Sequence, residues 1–131
     1  MKPKMIWANL VSTDLAKTAK FYSDLGFKIN GNLTDEAVSF FFGSNDFVIN
    51  FFTVQRLGNS VNGNLTSPVN GNEIIFSLSA VSREEVTEWF EKVKSIGGTV
   101  FSEPQNYELG YTFGFADPDG HKFNVLFWPG M

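Results

Sequence analysis

The strongest constraint on this 131-residue chain is that its two halves carry one order of elements, a strand, a helix and three more strands. In the first half the apolar run 5–11 predicts a strand. Leu15, Ala19 and Tyr22 then share a helical face, with Phe21 and Leu25 beside it. Asp14 stands where an anion favours a helix start, and Gly26 is a natural stop. Three strand-like runs follow at 27–30, 38–42 and 47–54, divided by Gly, Asn and Asp turns. The second half repeats the order. Residues 73–81 form a strand, and Ser82 with Glu85 makes a capping box, each side chain satisfying a free backbone N–H. Val86, Trp89, Phe90, Val93 and Ile96 recur at helical spacing until Gly97-Gly98. Strands are expected at 99–102, 111–116 and 122–128, with Asp117-Pro118-Asp119-Gly120 as a tight turn before the last.

The repeat extends to side chains. Residues 47–52 line up with 121–126, which brings Asn50 onto Asn124. The strand around Trp7 and Asn9 lines up with that around Ile75 and Ser77. The chain is therefore read as one α+β domain, residues 1–131, of two βαβββ modules at roughly 5–54 and 73–128. Residues 55–72, rich in Asn, Gly and Ser, read as a mobile surface linker.

Composition narrows the function classes. Hydrophobic residues at 43% against 18% charged support a real core, and 15 phenylalanines must fill that core, line a pocket or cover an interface. A net charge of −4 with no basic run argues against nucleic acid and anionic membranes as partners. The absence of cysteine removes disulfides, thiolate nucleophiles and zinc–sulfur sites. No long apolar stretch follows Lys2 and Lys4 before Asn9 and Asp14, so no signal peptide or membrane helix is expected and the cytoplasm is the expected location.

Asn9-Leu10-Val11-Ser12-Thr13-Asp14-Leu15, followed by Phe21-Tyr22 and Leu25-Gly26-Phe27, resembles the opening of the glyoxalase, bleomycin-resistance and ring-cleaving dioxygenase families, the vicinal oxygen chelate superfamily. Asp117-Pro118-Asp119-Gly120-His121 before an apolar last strand looks like that superfamily's closing motif. Residues 5–10 with 82–86 look most like a bacterial subgroup labelled predicted lactoylglutathione lyases, a label that fold alone does not turn into function. The resemblance implies a half-open barrel, with helices outside and a ligand cavity inside, and a homodimer.

It also implies four metal-ligand positions, filled in the superfamily's enzymes by His, Glu or Gln. In this sequence they fall on Trp7, Asn50, Ile75 and Asn124. Trp and Ile donate no lone pair to a metal, and an amide oxygen is a weak neutral ligand. No metal and no other cofactor is expected. Glu73, Glu108 and His121, the single histidine, are weak catalytic candidates, and Asp35-Glu36 precedes a strand near the same mouth. Strand alternation puts Trp7, Asn9, Asn50, Phe52, Ile75, Ser77, Asn124 and Trp128 on the cavity wall. Aromatic bodies with a few amides suit a small uncharged or aromatic ligand. Without a ligand the same side chains would fill the barrel, with Asn50 bonded to Asn124. Two other functions stay open, a glyoxalase-like lyase or isomerase and a protein-interaction domain.

Overall fold

The computed structural model describes residues 1–130, and they divide between Thr66 and Ser67 into two units. Unit 1 runs β1 (Ala8–Ser12), α1 (Leu15–Asp24), β2 (Lys28–Ile29), β3 (Ala37–Phe42), β4 (Phe47–Thr53) and α2 (Val54–Val61). Unit 2 runs β5 (Ile75–Ala80), α3 (Arg83–Ser95), β6 (Thr99–Tyr107), β7 (Gly110–Ala116) and β8 (Lys122–Phe127). Each is a four-stranded sheet of one topology, β1-β4-β3-β2 and β5-β8-β7-β6, whose first and last strands pair in parallel. The tandem βαβββ α+β fold expected from the repeat is present, with one helix more.

Local chemistry sets the helix ends. The Asp14 carboxylate accepts from Lys17 N at 3.1 Å and caps α1. Ser82 Oγ accepts from Glu85 N at 3.0 Å, while Glu85 Oε2 reaches back to Val81 N at 2.5 Å. The box is thus one residue wider than its usual reciprocal form. In the turn before β8, Asp117 accepts from Asp119 N at 3.0 Å and His121 N at 2.9 Å. Gly120 takes φ +98°, which side-chain-bearing residues rarely adopt. Asn72 Nδ2 donates to Gly120 O at 3.1 Å, so the start of unit 2 is tied over this turn.

Each core lies between helix and sheet. In unit 1, Tyr22 of α1 is fully buried against Phe51 (centroids 4.7 Å apart), Phe40 (5.6 Å) and Phe42 (5.7 Å). In unit 2, Phe113, Phe115 and Phe123 are fully buried, with Phe90 of α3 edge-on to Phe113. These rings account for much of the phenylalanine excess, and each pair adds about 0.5–1.5 kcal/mol beyond burial.

Three expectations need correction. The segment 55–72 is not all linker. It opens with α2, capped by Thr53 Oγ1 on Arg56 N (3.3 Å), anchored by buried Leu57 and closed by Asn62 in the left-handed region. The second is β6, which runs to Tyr107 rather than stopping at 102. It carries Pro104 because it is an edge strand, and its register with β7 shifts twice. Finally, β1 starts at Ala8 and β5 at Ile75, so Met5, Ile6, Trp7, Glu73 and Ile74 precede their strands and are exposed.

Candidate functional site

Alternation decides which side chains a ligand can meet. In unit 1, Ile49 and Phe51 are buried under α1, so Val48, Asn50 and Phe52 lie on the opposite, open face. Asn9 stands in register on one side of Asn50 and Ser39 on the other. Asn50 Nδ2 donates to Asn9 Oδ1 at 3.0 Å, and Asn30 Nδ2 to Ser39 Oγ at 3.3 Å. Over the Phe52 ring lies the Arg56 guanidinium, 4.9 Å from the centroid, which also pairs with Glu36 at 2.6 Å.

Unit 2 repeats the arrangement with different flanks. Asn124 is in register with Ser77 and Gly114. Ser77 Oγ donates to Asn124 Oδ1 at 2.6 Å, Asn124 Nδ2 to Thr112 Oγ1 at 3.4 Å, and Thr112 Oγ1 to Val125 O at 2.9 Å. Two glycines of β7 let rings lie on this face. A Cβ on Gly114 would stand 2.4 Å from Phe101 Cζ, and one on Gly110 would stand 2.8 Å from Trp128 Cε3. Tyr107 flanks Trp128 at 6.3 Å between centroids. Lys122, two residues before Asn124 on its face, holds its ammonium 5.1 Å from the centroid of Phe101.

The structure thus brings Asn9, Asn50 and Phe52 together on one open face, and Ile75, Ser77, Asn124 and Trp128 on the other. It does not bring Trp7 into the strand. Asn9, not Trp7, is in register with Asn50, and Ser77, not Ile75, is in register with Asn124. Each amide finds its partner inside its own unit. Ile75 is in register with Lys122 and is exposed.

The weak catalytic candidates are scattered. Glu73 is exposed ahead of β5, Glu108 is exposed at the β6–β7 tip with φ +51°, and His121 is buried on the helix side with Phe123. Among the described residues no three His, Asp or Glu side chains group so as to hold a metal ion. Asp35 lines a different feature, a hollow of about 720 Å3, open to solvent, with Ser12, Thr13, Leu33, Thr34 and Val54. The helix starts at its rim are already capped by Asp14 and Thr53. Phe101, Thr112 and Lys122 were missed in the sequence. The available signal was the pair Gly110 and Gly114, because glycine inside a strand marks a close approach by another group.

The sequence model of the Glyoxalase/Bleomycin resistance protein/Dioxygenase superfamily matches residues 4–125. Among solved structures, hypothetical protein SA1046 from S. aureus is similar at a TM-score of 0.85 and 34% identity, over 98% of this chain and 96% of that one. A glyoxalase-related enzyme from Fulvimarina pelagi gives 0.84 at 23% identity, over 97% of this chain and 90% of that one. Lactoylglutathione lyase from Agrobacterium tumefaciens gives 0.71 at 21% identity, over the whole of both chains. At those two identities the likeness concerns the fold alone. No curated protein matches the chain.

Proposed function

Because the chain belongs to the glyoxalase/bleomycin resistance protein/dioxygenase superfamily, we propose that it binds a small uncharged or aromatic molecule on the open faces of its sheets without a divalent metal. The observation that carries this is the pair Asn9–Asn50 and its counterpart Ser77–Asn124, neutral groups already bonded to each other at the centre of each open face. These residues do not fit a divalent ion, which prefers carboxylate or imidazole donors, and Trp7 and Ile75 donate nothing. They do fit a flat molecule, since an amide row between aromatic walls orients a ring by a few hydrogen bonds.

Thermal melting with a panel of small aromatic compounds, each with chelator and with added divalent metals, tests the reading. A ligand at 100 times its Kd adds about 2.7 kcal/mol of stability. The expected result is a raised Tm with some aromatic members, unchanged by chelator. A large rise with micromolar metal alone, abolished by chelator, would overturn it.

The lyase or isomerase reading draws on neighbours such as the Agrobacterium enzyme. It requires an acid or base from Glu73, Glu108 or His121, none of which stands in the rows of Asn50 or Asn124. Turnover of the methylglyoxal–glutathione adduct that is lost in Glu73→Gln would establish it in place of simple binding. The proposal also takes the homodimer as the working form. Among the described residues no helix is long and apolar enough to cross a membrane.

A further inference from the structure

We infer that the molecule held by unit 2 is an aromatic anion, with its acid group read by Lys122. The inference rests on the open face being a ligand site and narrows the ligand class to one. Lys122 lies in an inner strand between β5 and β7, in register with Ile75 and Ala116. Neither neighbour calls for a charge. The repeat places Val48 at the equivalent point of unit 1, so packing on this fold is satisfied there by an apolar side chain.

The two units also treat their cations differently. Arg56 of unit 1 is neutralised by Glu36 at 2.6 Å. Lys122 is half-buried with its ammonium over the Phe101 ring, and among the described residues no carboxylate pairs with it. A ring face holds an ammonium in place without cancelling its charge. The ring lies directly against Gly114, beside Asn124.

The floor between the rings completes the site. Gly110 and Gly114 are four residues apart, about 13 Å along a strand. Between the rings laid over them lie Thr112 and, in register with it, Leu126. A ligand ring resting on Leu126 brings an acid group at its end between Lys122 Nζ and the Asn124 amide. One Nδ2 proton of that amide goes to Thr112, which leaves the second for a ligand oxygen. A charge-assisted contact of this kind is about twice as strong as a neutral one.

The test is calorimetric titration of the whole chain with 2-naphthoate and with its uncharged isostere 2-naphthamide. Wild type should bind the acid at least about tenfold more tightly, with the margin shrinking as salt is added. Lys122→Met should bring the two affinities to within about twofold, and Lys122→Arg should restore the preference. Circular dichroism melts establish that the variants fold. Equal affinity in wild type, or a preference that survives Lys122→Met, overturns the role of Lys122 and leaves the face as a binding site. If neither probe binds at millimolar concentration, the inference fails together with the reading of the face.

Discussion

Gly114 lacks a side chain because Phe101 occupies the place where one would be, 2.4 Å from an ideal Cβ. Gly114→Ala should therefore displace the ring and cost about 1–3 kcal/mol in urea denaturation, as overpacking does. In a Phe101→Ala background the same change should cost almost nothing, because contacting residues are non-additive. Equal costs in both backgrounds would show that the ring does not press on the strand. Asp117 acts in another way. Its buried carboxylate serves two backbone N–H groups, so Asp117→Ala should cost about 1–3 kcal/mol for donors left without acceptors. Asp117→Asn keeps an acceptor oxygen and should cost less. At this scale the sequence disclosed what the repeat duplicates. Asn50 and Asn124 emerged from aligning the halves, and the buried Phe51 and Phe123 from alternation. Phe101 did not, because the register shifts of β6 separate it from simple alternation, and Lys122 did not, because a strand-end lysine resembles any solvated charge.

At the scale of elements, what was legible followed periodicity and caps. α3 shows both, and its Ser82 cap should be worth about 1 kcal/mol on Ser82→Ala. β4 shows an alternating buried face, and Phe51→Ala should remove about 3–5 kcal/mol, because its ring packs against Tyr22 and is fully buried. α2 was hidden because its eight residues include Gly58, Asn59 and Ser60, poor helix formers, and bury only Leu57. It forms because β4 delivers Thr53 as a cap and Leu57 onto the unit. A helix with so little anchorage opens first. Amide hydrogen exchange should therefore be much faster in α2 than in α3, and equal protection would show that more than Leu57 holds it.

At the scale of the molecule, the doubled module raises the question of what covers the outer strands. β1 and β5 are edges of their sheets. Both are preceded or begun by exposed apolar residues at matching points of the repeat, Ile6 and Trp7 in one unit and Ile74 and Ile75 in the other. An edge strand with apolar flanks is a template for pairing with another chain. Natural chains blunt such edges with charge, and here neither β1 nor β5 carries a charged residue. A closed dimer meets the need with a single self-complementary patch, whereas an open-ended contact would build filaments. Sedimentation equilibrium should accordingly give twice the 14.6 kDa chain mass at micromolar concentration. Trp7→Asp and Ile75→Asp should shift it toward one chain while each unit keeps its far-ultraviolet signature, since both side chains lie outside the cores. A mass of one chain that persists as the wild-type protein is concentrated would rule out pairing through these edges, and the dimer would have to be abandoned.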